Sequence, residues 1–203
     1  MENEAEPRIV RVPSDDEMKA AFDAYALALG RVAHSWNYLH EQLSHLFCDV
    51  TLMDAATGHA IWHSSVVDRS QQAMLKAAIQ SVAEDRWKAT LPTARDDLLW
   101  MIERVSNLAD ARNNAVHAPA AFEIDYERYE MAASRSSGNQ RAKNLAGKKL
   151  IEEFAWIEWR AEELSRFAQR ASTALRFPSR YAWPAKPVLP ARGQKRLPKD
   201  YNP

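Results

Sequence analysis

Apolar residues recur along the first part of the chain at alternating steps of three and four: Phe22, Tyr25, Leu29, Val32, Trp36, Leu39, Leu43, Leu46 and Val50. Such steps lay a single stripe down an α-helix. Ser14-Asp15-Asp16-Glu17, just ahead of the stripe, has the capping-box pattern, in which a serine and a glutamate three residues apart satisfy each other's backbone N–H groups. One long amphipathic helix is therefore predicted over about 15–50, with a heptad-like stripe fit for a two-helix seam or a bundle core. Thr57-Gly58 predicts a break. A weaker helix follows from Ser64 to about Val82, with Val67, Met74, Leu75, Ala78, Ile79 and Val82 on one side and Gln71, Gln72 and Lys76 elsewhere. Pro92 suits a first helical turn, and Thr93 with Asp96 offers a cap for a third helix. Its stripe runs through Leu98, Met101 or Ile102, Val105, Leu108 or Ala109, Arg112 and Val116. That helix should end by Ala118, because Pro119 drives its predecessor out of the α region. A second strong stripe, from Leu150 and Phe154 through Ile157, Ala161, Leu164, Ala168 and Ala171 to Leu175, predicts a long fourth helix over about 148–175.

Between the third and fourth helices the period changes. Phe122, Ile124 and Tyr126 alternate with Glu123 and Asp125, and Ser134 to Asn139 is turn-rich, so a short β-hairpin or an ordered loop is predicted as an insertion over about 119–146. Six of the ten prolines follow Phe177, which bars a helix there and favours an extended, polyproline-like backbone. The expected organisation is an acidic lead (1–14), one all-α, up-down four-helix domain with two long helices (15–175), and a basic, extended, proline-rich tail (176–203).

Composition narrows the chemistry. The 203 residues, 46% of them hydrophobic, suffice for one cored domain or two small ones. The five glycines are scattered singly, so neither a GxxxxGK[ST] phosphate loop nor a GxGxxG dinucleotide turn can be assembled. Cys48 stands alone, which excludes an intramolecular disulfide and cysteine-rich zinc modules, and GxSxG is absent. The acidic start and the lack of a long apolar run lead to the expectation of a soluble cytoplasmic protein. A formal net charge of zero conceals an uneven profile: three bases against seven acids over residues 1–23 give −4, and seven bases against Asp200 over 176–203 give +6. A nucleic-acid-binding tail has this asymmetry, and so does a merely solvated one.

The sharpest feature is Asp110-Ala111-Arg112-Asn113-Asn114-Ala115-Val116-His117, because Arg112 falls on an otherwise apolar stripe, where a charge needs a partner or a purpose. Arg112 and His117, four residues between them and polar Asn113 after the arginine, near the end of a helix in an all-helical chain, resemble the RxxxxH motif of the HEPN superfamily of helical ribonuclease and nucleotide-binding domains of prokaryotic toxins and defence systems. The order of elements is similar as well, over most of residues 15–175. The resemblance implies a homodimer, RNA as substrate and, for the toxin kind, an antitoxin or other neighbouring-gene protein as partner.

Elementary chemistry gives these residues roles. RNA cleavage by 2′-hydroxyl attack needs proton transfer and a cation for the charge that builds on the phosphoryl oxygens. Histidine moves protons near neutral pH, and the planar fork of arginine matches a phosphate. The scheme demands no metal and no cofactor. Five residues along a helix amount to roughly 7.5 Å of rise and about 140° of rotation, so Arg112 and His117 of one helix diverge, and a two-fold dimer would be needed to bring a pair to one cleft. Asn113 and Asn114 could orient the phosphate or the ring. The bland alternative has Arg112 pairing with an acid such as Glu41 while His117 merely finishes the helix.

Other candidates are weaker. His59 and His63 have an i, i+4 spacing able to hold a metal, but without the glutamate of HExxH and with only Asp54 or Asp68 as further ligands they are expected to be loop-edge histidines, and no metal site is expected. His34, Tyr38, Glu41 and His45 lie near one line of the first helix, a solvated face or a cleft border. In the tail, Arg180, Trp183, Arg192, Lys195 and Arg196 are candidates for RNA contact, although Trp183 is expected rather to pin the tail to its own domain. The expected function is a metal-independent endoribonuclease of the toxin or phage-defence type. A non-catalytic RNA- or nucleotide-binding module and a structural dimerisation protein are its rivals.

Overall fold

The computed structural model describes residues 12–194 apart from 86, 88–90, 126–127 and 135–137. The acidic residues of positions 1–11 and the tail residues from Lys195 and Arg196 onward lie outside the described residues. Among the described residues the helices and one hairpin follow in this order: α1 (Asp15–Thr51), α2 (Ala55–His63), α3 (Asp68–Ser81), α4 (Ala94–His117), β1 (Ala120–Asp125), β2 (Arg128–Ala133), α5 (Gln140–Leu145) and α6 (Leu150–Arg176). The all-α class with a small hairpin insertion, expected from the stripes, is the observed one.

The capping box forms as the sequence dictates, with the Ser14 side chain accepting from Glu17 N–H and the Glu17 carboxylate accepting from Ser14 N–H. The 37 residues of α1 span about 55 Å. Its stripe packs along α6, the other long helix, from Tyr25 against Phe154 at one end to Asp49 with Ser172 and Arg176 at the other, so the two run parallel. α4 closes the core, with Leu98, Met101, Val105 and Leu108 buried together with Leu39, Leu43, Ile157 and Leu164.

The first turn differs from expectation. The chain breaks at Leu52, which adopts a left-handed conformation (φ 57°), and Asp54 caps the following helix by accepting from Thr57 N–H. Thr57-Gly58 is therefore inside α2 and is no break. Gly58 serves close approach: a Cβ there would stand 2.4 Å from Cys48 Sγ. α2 folds back over the end of α1, and this extra reversal is what leaves α1 and α6 parallel. The next helix begins at Asp68, four residues later than its pattern suggested, because Ser64 to Val67 form the connection and leave Val66 and Val67 exposed. Thr93 stands at the N-cap of α4 but makes no side-chain cap bond.

Of the two options for the insertion, the hairpin is the one formed. Its antiparallel register runs from Ala120 opposite Ala133 to Asp125 opposite Arg128, and Ala120, Met131 and Ala133 rest on the core. α5 is an addition the periodicity did not signal, capped by Asn139, which accepts from the N–H groups of Arg141 and Ala142. Residues 177–194 carry no regular helix or strand and run back over α6 as a strap.

Candidate functional site

α4 ends on time: His117 is its last residue and Ala118, extended at ψ 131°, turns the chain toward Pro119. Arg112 is half-buried, because its place on the stripe turns it toward α1. Its guanidinium carbon lies 5.8 Å from the centroid of the Trp36 ring, and an Arg112 terminal nitrogen donates to Asn113 Oδ1 at 3.0 Å. Among the described residues Arg112 forms no ion pair, and its buried Nε has no hydrogen-bond partner. Glu41, its suggested partner, instead lies 3.5 Å from His45 Nε2.

The wall behind Arg112 is a polar set that the sequence did not single out. Trp36, 1% exposed, donates its indole N–H to Asp68 Oδ2 at 2.8 Å. The His40 ring packs on Trp36 with centroids 4.9 Å apart, and its Nδ1 stands 3.0 Å from Gln71 Oε1 and 3.9 Å from Asp68. Gln71 donates onward to the carbonyls of Ser65 and Trp62 at 2.9 and 3.3 Å. Gln71 and Gln72, expected away from the apolar side, are both buried; Gln72 accepts from Ser106 at 2.8 Å. Burial lowers the pKa of His40, with the Arg112 charge pushing the same way, while Asp68 and the Gln71 hydrogen bond pull against them. The sign follows. The unfolded chain protonates this histidine near pH 6.5 and the folded chain only lower, so the stability that neutral His40 contributes is complete above about pH 6.5 and is lost as the pH falls toward the folded value. Between about pH 7.5 and 5.5 the melting midpoint of the wild type should drop further than that of His40→Gln. Equal drops would remove His40 as the cause.

His117 is exposed, and no contact joins it to Arg112 in one protomer, as the helical divergence requires. Asn113 is tied to Arg112. Asn114 accepts from Asn144 Nδ2 of α5 at 3.4 Å, and Asn144 in turn accepts from Gln140 at 3.1 Å. The motif thus divides into an inner half, Arg112 with Asn113 against α1, and an outer half, Asn114 and His117 beside α5.

His59 lies within α2 and His63 is its last residue, at the edge of the connection to α3; their rings stack at 6.1 Å, and His45 meets His59 edge-on at 4.8 Å. Among the described residues no group of three or more His, Cys, Asp or Glu is placed to hold a metal ion. His34 and Tyr38 border an open groove of about 450 Å³ with Glu158 and Glu162 of α6, so the polar line of α1 divides between that groove and α2.

The tail candidates separate as well. Arg180 is exposed. Trp183 is docked, donating its indole N–H to Asp97 Oδ2 at 2.9 Å and meeting Phe167 edge-on at 6.3 Å. Lys186 reaches the same Asp97 carboxylate at 2.9 Å. Arg192 pairs with buried Glu153 at 2.8 Å and lies over Trp156 at 4.4 Å, while the Pro190 carbonyl accepts from Trp156 and Arg160 at 3.0 and 3.1 Å. Burial pushes the Asp97 carboxyl up, but its hydrogen bonds from Lys186, Trp183 and Thr93 and the Lys186 charge outweigh that and hold it below the ordinary carboxylate value.

What the fold and site define is an all-α domain with a half-buried arginine that lacks an ionic counterpart among the described residues and an exposed histidine five residues further along the same helix. No family model, curated protein or solved structure matches the chain. Among the described residues no helix is long and apolar enough to cross a membrane.

Proposed function

We propose that this chain is a metal-independent endoribonuclease of the toxin or defence kind, an HEPN-like domain acting as a homodimer. The observation that carries the reading is Arg112. A guanidinium held half-buried against an indole, hydrogen-bonded among the described residues only to a neutral amide and without a carboxylate partner among them, is left to meet an incoming anion. In the reaction the 2′-hydroxyl oxygen bonds to phosphorus and the P–O5′ bond breaks. Arg112 neutralises the charge on the non-bridging oxygens, solvent water takes the 2′-hydroxyl proton, and His117 gives a proton to the departing 5′-oxygen and regains it from solvent, leaving a 2′,3′-cyclic phosphate and a 5′-hydroxyl. The helical divergence of Arg112 and His117 supports a reacting site whose two groups come from different protomers.

The test is RNA decay in excess EDTA. Wild type cuts; Arg112→Ala and His117→Ala each lose about 10²- to 10³-fold while keeping the helical circular dichroism. Equal decay by all three proteins would refute the enzyme. RNA retained without decay would favour the second reading, a non-catalytic RNA-binding module, for which the observed separation of Arg112 from His117 in one protomer is the specific support.

A further inference from the structure

An arginine on a helix surface samples many rotamers, and a charge-stabilising group is effective only when it is already in place as charge develops. Arg112 is not left to sample. Behind it stands Trp36, itself fixed in the core, whose indole N–H is anchored on Asp68 at 2.8 Å. Asp68 is the first residue of α3, so one hydrogen bond ties the platform on α1 to a second helix. On the same indole rests His40, whose Nδ1–H donates to Gln71 Oε1 at 3.0 Å and so leaves its Nε2 as a lone pair. That Nε2 and the Arg112 Nε–H are both buried and both without partners, one an acceptor and the other a donor.

We propose that Trp36, Asp68 and His40 are positioning residues for Arg112: the Asp68-anchored indole fixes the plane on which the guanidinium lies, and His40 Nε2 offers the acceptor toward which Arg112 Nε–H turns when its terminal nitrogens engage a phosphate. The inference rests on Arg112 being the phosphate-facing group. The chemistry is consistent on both sides of the ring. An imidazole kept neutral by burial adds no second positive charge beside the guanidinium, whereas an imidazolium would repel it. The Asp68 carboxylate, spent on the indole, lies outside ion-pairing reach of Arg112 and does not cancel the charge the phosphate needs.

The deciding measurement reads Arg112 directly. In ¹H–¹⁵N spectra of the full chain the Arg112 Nε–H signal should be displaced by the Trp36 ring and exchange slowly with water, and inorganic phosphate should shift it. Asp68→Ala, at a position whose side chain is 38% exposed, should return that signal toward the ordinary arginine position and speed its exchange by about tenfold or more, with the fold retained. His40→Gln, which keeps an acceptor, should disturb it less than His40→Ala. In the RNA assay Asp68→Ala should lower kcat by about 10- to 100-fold with KM within about twofold. An Arg112 signal unchanged in Asp68→Ala and in Trp36→Phe overturns the positioning role whatever the RNA assay returns. A wild type that cuts no RNA but whose Arg112 signal responds as described overturns the enzyme and leaves the positioning intact.

Discussion

Mixing equal amounts of Arg112→Ala and His117→Ala protein, each inactive alone, should restore about one quarter of wild-type RNA cleavage. The figure follows from the geometry of α4. Five residues of helix separate the two side chains by roughly 7.5 Å along the axis and about 140° around it, so one phosphate cannot meet both from a single protomer. In the proposed two-fold dimer each reacting site would take Arg112 from one chain and His117 from its partner. A mixed dimer then holds one site with both defects and one with neither, and random exchange makes about half of the dimers mixed. A mixture as inactive as its components, after subunit exchange has been verified by light scattering or mass, would mean that the pair does not act across the dimer.

Removing the residues after Arg176 should lower the thermal midpoint by roughly 6–12 °C, the equivalent of about 3 kcal/mol in a domain of this size. The strap is more than a covering. Trp183 and Lys186 converge on Asp97, Arg192 reaches Glu153, and Trp156 and Arg160 share the Pro190 carbonyl. Deletion leaves Trp100, Trp156 and Phe167 facing water, and that apolar exposure is the larger loss, since ion pairs with half-exposed lysine and arginine heads contribute little each. Trp183→Ala alone should give about half of the effect. A midpoint within about 2 °C of wild type would mean that the strap lies on the domain without stabilising it.

What was legible in the sequence follows from how far apart the interacting residues lie. The helix over 15–50 could be read because its stripe repeats through ten turns, each confirming the last, and its cap is spelled in four adjacent letters. α2 could not, because nine residues show too little periodicity and its central glycine imitates a break; only the position of Cys48 on a neighbouring helix explains why glycine is there. Arg112 stood out as a charge on an apolar stripe. Its surroundings did not, because Asp68 serves Trp36 from 32 residues away and Gln71 serves His40 from 31. Nothing in the sequence around Asp97 says that a tryptophan 86 residues on will bury it. The basic tail is the instructive case: the charge count alone fits a surface for nucleic acid, yet Lys186 and Arg192 are spent on acids of the chain itself.

The parallel pairing of α1 with α6 sets the order of events on the ribosome. Roughly a hundred residues separate the end of α1 at Thr51 from the start of α6 at Leu150, and at about 5–20 residues per second they take on the order of 5–20 s to emerge. For that interval Leu39, Leu43 and Leu46 have no α6 to cover them, with α2, α3 and α4 arriving as partial partners. A growing chain with so long an apolar seam waiting exposes the kind of surface that holding chaperones cover, and the α1–α6 seam can close only once α6 has cleared the exit tunnel.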